Sequence, residues 1–233
     1  MPQRRGERIA ELLRALSPTD EFIIVAVAAF APFIAASIRA VWRGQVGPPA
    51  VSDFGFLFLV GHELAVLVAL AAFLRVRGWT LERIGLGPNL RETLIGVAIA
   101  AAVEVAAGVI WTFAVAWSPE IGAAGEAFNQ VTGSLHPATL IAGSLVNPIF
   151  EEAFLCGYVV TALKDRAGPW TAVNVSAGIR LLYHLYQGVV GVIFTAPFGV
   201  FFAYWFVRQG RLWPLIVAHV LIDFVAFVAY MRS

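Results

Sequence analysis

Residues 93–117 read TLIGVAIAAAVEVAAGVIWTFAVAW, and Glu104 is the one charged side chain in this stretch. A helix of this length rises about 37 Å at ~1.5 Å per residue, enough to cross the ~30 Å hydrocarbon core of a bilayer. The stretch therefore predicts a transmembrane helix. Similar apolar runs are predicted as spans near 21–42, 54–74, 137–163, 170–187, 188–208 and 211–230. We expect an all-α, polytopic transmembrane helix bundle of about seven spans with an N-terminal interfacial helix.

The composition supports a membrane protein and excludes several other classes. The chain has 233 residues, of which 60% are hydrophobic and 13% charged. Soluble chains carry roughly 25% charged residues. The formal net charge of +1 offers no basic surface, so we expect the lipid bilayer as a partner and no nucleic acid. The single cysteine, Cys156, excludes an internal disulfide and a cysteine-cluster metal site.

The charges divide the chain into three predicted parts. Residues 1–20 form a cytoplasmic amphipathic segment, 21–136 form N-terminal transmembrane helices and connectors, and 137–233 form a four-helix transmembrane core. Two connectors are long. Residues 75–92 mix arginines with apolar side chains, which is typical of a segment on the cytoplasmic surface. Residues 118–136 lack Lys and Arg and are predicted to be an external loop.

The distribution of basic residues predicts the orientation. Twelve fall on one side of the predicted spans, three on the other (Arg39, Arg43 and Arg232), and Arg180 lies inside a span. Because basic residues concentrate in cytoplasmic connectors, the N-terminus is expected in the cytoplasm and the C-terminus outside. Fifteen arginines against one lysine indicate a GC-rich bacterial genome. The predicted location is therefore the bacterial cytoplasmic (inner) membrane, crossed several times.

Ionisable side chains inside the predicted spans indicate a functional site, because each costs roughly 2.5–3.5 kcal/mol at the bilayer centre. The last four spans contain Glu151, Glu152, Arg180, His184, His219 and Asp223. Counting from the cytoplasmic ends at ~1.5 Å per residue places Glu151, His184 and Asp223 about 18–21 Å deep on three separate spans. Such a shared depth predicts one site. Two histidines and a carboxylate could hold a metal ion, or a water beside a catalytic carboxylate.

Three of these motifs resemble, in order, those of the CPBP intramembrane endopeptidases, which include the CAAX prenyl proteases and bacterial Abi-type proteins. They are Glu151-Glu152, Tyr183-His184, and the pair of His219 and Asp223, similar to the family's EExxxR, FxxxH and HxxxN/D. The flanks Gly157-Tyr158, Leu212-Trp213-Pro214 and Glu82-Arg83-Ile84-Gly85-Leu86 also look similar. The resemblance covers roughly 147–225 and, more weakly, 79–87.

The resemblance implies an intramembrane endopeptidase that hydrolyses a peptide bond in a membrane-anchored protein or peptide. It assigns Glu151 as the general base on water. His184 and His219 would position the water or stabilise the oxyanion, and Asp223 would orient His219 or help hold the water. The family's sites have been interpreted both with and without a metal. Zn²⁺ would suit Glu151, His184 and His219, but HExxH is absent and we expect metal-free chemistry.

The sequence departs from the family pattern at two positions. Cys156 replaces the arginine of EExxxR, and Arg180 replaces the aromatic of FxxxH. We expect Arg180 to supply the missing guanidinium from the neighbouring helix by pairing with Glu152, so both residues would support the site.

Two other functions are compatible with buried charges: a proton-coupled membrane carrier, and a non-proteolytic membrane scaffold of the same fold. Outside the motifs, His62, Glu63 and Glu104 also lie within predicted spans. We expect them to form hydrogen bonds between helices, with the lining of a water-filled access path as the alternative.

Overall fold

A computed structural model describes residues 2–47, 51–129 and 133–230; Arg232, counted in the orientation analysis, lies outside them. The described residues form nine helical segments. These are α1 (Pro2–Ala15), α2 (Pro18–Trp42), α3 (Asp53–Val76), α4 (Leu90–Trp117), α5 (Pro119–Asn129), α6 (Pro137–Lys164), α7 (Pro169–Tyr183), α8 (Gly188–Gln209) and α9 (Trp213–Tyr230). A short 3₁₀ turn, Leu185–Gln187, joins α7 to α8. The predicted all-α bundle is confirmed.

Five helical segments among the described residues are long and apolar enough to cross a membrane: Pro18–Trp42, Asp53–Val76, Leu90–Trp117, Pro137–Lys164 and Leu185–Gln209. Two other predicted spans are shorter than expected. Helix α7 has 15 residues, since it ends at Tyr183 rather than near 187, and α9 is a shorter apolar helix. The chain is a multi-pass membrane protein, and the count of seven spans stays a prediction.

The predicted external loop at 118–136 contains regular structure. Helix α5 begins at Pro119, a residue well suited to the first helical position because its fixed φ matches the helix and its missing N–H is not needed there. After it, Gly133–Ser134 pairs in parallel with Val51–Ser52. The His136 backbone N–H donates to Asp53 Oδ1 at 2.8 Å. These contacts join the start of α3 to the start of α6.

At the opposite end of the bundle, the carboxylate of Glu21 on α2 anchors the connector after α3. Glu21 Oε2 accepts from Arg77 Nε at 2.6 Å, and Oε1 accepts from Trp79 Nε1 at 2.9 Å and from the Tyr158 hydroxyl at 3.2 Å. One buried carboxylate thereby links α2, the connector and α6. Because Arg77 also donates to the Leu13 and Arg14 carbonyls, α1 belongs to the same assembly.

The flanking motifs of the sequence meet beside this connector. The Leu212 backbone N–H donates to the Gly85 carbonyl at 2.8 Å. Gly85 has a φ of +72°, which favours glycine, and a Cβ there would collide with the Gly210 carbonyl oxygen. A Cβ on Gly157 of α6 would contact both Ile84 and Leu212. The connector thus fixes the start of α9, the helix that carries His219 and Asp223.

Candidate active site

Three helices deliver the predicted site residues to one buried cluster. Helix α6 carries Glu151 and Glu152 between Pro148, which interrupts its hydrogen bonds, and a π-helical stretch, Ala153–Val160. Short π-helical insertions in α-helices occur frequently at functional sites, because they shift the faces to which the neighbouring side chains point. Helix α7 contributes Arg180, and α9 contributes His219 and Asp223.

Arg180 bridges the two adjacent glutamates. Its Nη2 lies 2.6 Å from Glu152 Oε1 and its Nη1 lies 2.9 Å from Glu151 Oε2. Arg180 is 2% exposed and Glu152 is 0% exposed, so water does not screen these contacts. The predicted pairing of Arg180 with Glu152 is present, and the guanidinium also engages Glu151. Cys156, the position of the family's arginine, is fully buried.

His219 lies between two carboxylates. Its Nδ1 donates to Glu152 Oε1 at 2.8 Å, and its Nε2 lies 3.5 Å from Asp223 Oδ1, one helical turn further along α9. With both ring nitrogens directed at acidic groups, the imidazole links α9 to α6 and fixes the orientation of Glu152. Its ring also packs edge-on against Phe198, with the ring centres 5.1 Å apart.

His184 follows the end of α7 instead of lying within a longer helix. Its Nδ1 donates to the Arg180 carbonyl at 3.0 Å, so the expected four-residue relation to Arg180 exists through the backbone. This hydrogen bond leaves Nε2 as the acceptor nitrogen of the neutral ring. Tyr183, its neighbour, is buried and stacks on Phe30 of α2 with ring centres 5.6 Å apart.

A cavity of about 870 Å³ lies between α2, α3, α6 and α9. Its walls include the aromatic rings of Phe30, Phe33 and Phe56. Its polar side chains include Glu63, Asn147, Glu151, His184 and Asp223. Glu152 and His219 do not line it. The adjacent glutamates therefore differ: Glu151 faces the cavity, whereas Glu152 faces the buried network behind it.

Sequence reasoning did not assign Asn147 and Glu63 to the site. Asn147 Nδ2 donates to Glu63 Oε1 at 2.7 Å and to Glu151 Oε1 at 3.3 Å. Glu63 thus makes the hydrogen bond between helices that was expected, and it also lines the cavity. The sequence spacing could have indicated Asn147, because it precedes Glu151 by four residues and so lies on the same face of the helix.

His62 and Glu104, the other two ionisable residues that the sequence places within the early spans outside the motifs, lie apart from this centre. His62 packs edge-on against Phe33, with ring centres 5.5 Å apart. Glu104 is exposed on the outer surface of α4 and does not line the cavity.

The carboxylate and imidazole groups of the cluster are of the kinds that bind metal ions, but the guanidinium of Arg180 already contacts both glutamates. Among the described residues, Glu151, Glu152 and His219 place possible ligand atoms within 4.8 Å of one another. His184, expected in a metal site, is not in that group. Glu152 Oε1 already accepts from Arg180 and His219, and the guanidinium contacts both carboxylates. A dication bound here would face Arg180 at close range, so the residues do not fit a metal site in this arrangement.

The fold and the cluster define a class: a multi-pass helical membrane protein that buries a carboxylate pair, an arginine and a histidine beside a cavity. Residues 133–225 match the model of the family described as Type II CAAX prenyl endopeptidase Rce1-like. This part of the chain is similar to that family, and the predicted resemblance is confirmed. The family is one of intramembrane peptidases. Comparison with curated proteins and with solved structures found no match.

Proposed function

We propose that this chain is an intramembrane endopeptidase in which Glu151 activates a water molecule to hydrolyse a peptide bond. The observation that carries this proposal is that the two adjacent glutamates have different surroundings. Glu151 lines a cavity large enough for an extended peptide segment, while Glu152 is enclosed by Arg180 and His219.

Glu151 is placed for general-base chemistry. Arg180 balances its charge through Oε2, and Asn147 donates weakly to Oε1, so each oxygen retains a lone pair for a water in the cavity. In this mechanism Glu151 removes a proton from that water as its oxygen attacks the scissile carbonyl. His184 would accept a hydrogen bond from the attacking water at Nε2 and so position it. Asp223, on the same cavity wall, helps to hold the attacking water.

Glu152 and His219 act as positioning residues in this proposal. His219 holds Glu152 by one nitrogen and Asp223 by the other, and Glu152 in turn holds Arg180. The chain of contacts fixes two of the cavity-facing carboxyl groups, Glu151 and Asp223, without reaching the substrate. No metal ion takes part, because Arg180 provides the positive charge beside the carboxylates.

The cavity also suggests the side from which the substrate enters. Its lining residues Ala36, Phe56, Gly143 and Ala226 lie in the halves of their helices remote from the connector 77–89 between α3 and α4. With the N-terminus in the cytoplasm of a bacterium, that half is external. The substrate class we propose is therefore a membrane-anchored protein or peptide cleaved within its external part, without a requirement for a prenyl group.

The test compares cells that express, at equal levels, the wild-type chain, Glu151→Gln or Glu104→Gln. Glu104 is a matched control because it is a mid-span glutamate outside the cavity. New N- and C-termini of membrane proteins are expected with wild type and Glu104→Gln and not with Glu151→Gln. Equal termini in all three strains, with Glu151→Gln present in the membrane, would overturn the proposal and favour a scaffold or carrier.

A further inference from the structure

We propose that Glu63 on α3 is a second catalytic carboxyl group, the general acid that protonates the leaving amine. This inference rests on the proposed hydrolysis by Glu151 and assigns the other proton transfer of that reaction. Glu63 lies outside residues 133–225, the part that matches the family, so it belongs to a helix that the match does not cover.

Geometry brings the two carboxyl groups to the same place. Asn147 Nδ2 donates to both, at 2.7 Å to Glu63 Oε1 and 3.3 Å to Glu151 Oε1. Because both oxygens accept hydrogen bonds from the same Asn147 nitrogen, they are within about 6 Å of each other. Both residues line the cavity, from α3 and α6 respectively. A scissile peptide group in the cavity can therefore meet Glu151 at its carbonyl carbon and Glu63 at its nitrogen.

The two carboxyl groups have different electrostatic surroundings. Glu151 is ion-paired with Arg180 through Oε2 at 2.9 Å. None of the ion pairs formed by the described residues includes Glu63, which is 1% exposed. Its Oε2 is buried and accepts no hydrogen bond from any residue that the structure describes. A buried carboxylate without a counter-ion is costly, and Oε1 already accepts from Asn147, so we place a proton on Oε2. Two carboxyl groups in contrasting environments are the usual arrangement of an acid and a base.

The proton transfers then balance. Glu151 takes one proton from water, the hydroxide oxygen bonds to the carbonyl carbon, and a tetrahedral intermediate forms. As the C–N bond breaks, the Glu63 carboxylic acid donates its proton to the nitrogen, which leaves as an amine. At this point Glu151 is protonated and Glu63 is ionised. Transfer of the proton from Glu151 to Glu63 through water in the cavity restores both groups, and the net reaction consumes one water per peptide bond.

The experiment uses the purified full-length chain in proteoliposomes and a peptide that spans a cleavage site found in the terminus comparison. Glu63→Gln keeps the side-chain shape and the acceptor for Asn147 but cannot supply a proton. We expect kcat for the amide to fall by about 10²- to 10³-fold. The alkaline limb of the pH profile should disappear, since that limb reports loss of the acid's proton. Glu104→Gln should match wild type.

A second substrate separates proton donation from a structural role. In the matching depsipeptide, an ester replaces the scissile amide, and its alkoxide leaving group depends much less on protonation by an acid. Glu63→Gln should cleave this ester within about tenfold of the wild-type rate, whereas Glu151→Gln should remain inactive on both substrates. An equal loss on the amide and the ester would overturn the acid role of Glu63, as would wild-type activity on the amide.

Infrared spectroscopy provides a readout that does not depend on catalysis. The wild-type spectrum should contain a carboxylic-acid C=O band that is absent from Glu63→Gln and retained in Glu104→Gln. An unchanged band in Glu63→Gln would show that Glu63 is ionised and would overturn this inference. Failure of Glu151→Gln to change any terminus in cells would instead overturn the underlying proposal of proteolysis, so the two failures are distinguishable.

Discussion

The guanidinium of Arg180 on α7 donates to Oε1 of Glu152 on α6, the preceding helix, at 2.6 Å. In the family pattern, the arginine comes from the same helix as the glutamates, at the position of Cys156. The same charge pair is therefore built here between α6 and α7. This arrangement ties the two motifs together, because Arg180 also contacts Glu151 and its carbonyl holds His184.

Substitutions at Arg180 and Cys156 test whether Arg180 supplies the charge that the family's arginine provides. Arg180→Phe should lower the free energy of unfolding by about 3–5 kcal/mol, because it leaves two buried carboxylates without their cation. It should also abolish cleavage. The double variant Cys156→Arg/Arg180→Phe restores the family pattern and should recover a large part of both losses. Thermal unfolding in detergent and cleavage of the identified substrate are the measurements. Wild-type stability in Arg180→Phe would contradict the charge pair.

Removal of metal ions should not affect the reaction. Arg180 occupies the cationic role beside Glu151 and Glu152, so incubation with EDTA and 1,10-phenanthroline should leave the cleavage rate unchanged within about twofold. A zinc peptidase treated in parallel provides the positive control. Loss of activity that added Zn²⁺ restores would contradict the metal-free mechanism.

The contact between the connector and α9 should contribute to stability. Gly85→Ala places a side chain at a positive φ and against the Gly210 carbonyl, so we expect a loss of at least about 1–3 kcal/mol. Gly87→Ala is the matched control, because an added Cβ there meets no atom within 4 Å. Thermal unfolding of both variants checks this. Equal melting temperatures for Gly85→Ala and wild type would contradict the close approach.

The access side can be measured by cysteine labelling. The native Cys156 is 0% exposed and should give little background. Ala36→Cys lines the cavity and should react with a membrane-impermeant maleimide on intact spheroplasts. Leu81→Cys, at a connector residue that is 66% exposed, should react only after permeabilisation. The reverse pattern would place the cavity on the cytoplasmic side and contradict the proposed orientation.

The fold was largely predictable because apolar run length is a strong signal in a membrane protein. The C-terminal end of α7 was not, since the chain turns at His184 while its sequence remains apolar, and the turn is stabilised by contacts from distant residues. The Tyr186 backbone N–H, for example, donates to Ser37 Oγ at 2.9 Å. Helix α5 was missed because a low charge content gave no amphipathic pattern in that loop.

The part of the cluster on α6, α7 and α9 was predictable, because its ionisable residues lie at a similar depth in the predicted spans. The pairing of Arg180 with Glu152 followed from the exchanged arginine. The contact from Glu63 to Asn147 could not be predicted, because nothing in the sequence shows that α3 packs against the same face of α6. The enclosure of His219 behind Glu152 was likewise invisible, since a histidine in a motif gives no indication of whether it faces a cavity.

The central claim is that Glu151 is the base in a peptide hydrolysis. Its most direct test is the cleavage rate of purified wild type and Glu151→Gln in proteoliposomes, on a peptide spanning an identified cleavage site. We predict cleavage by wild type and a loss of at least about 10²- to 10⁴-fold for Glu151→Gln, with both proteins unfolding at similar temperatures. A folded Glu151→Gln that cleaves at the wild-type rate would contradict the account.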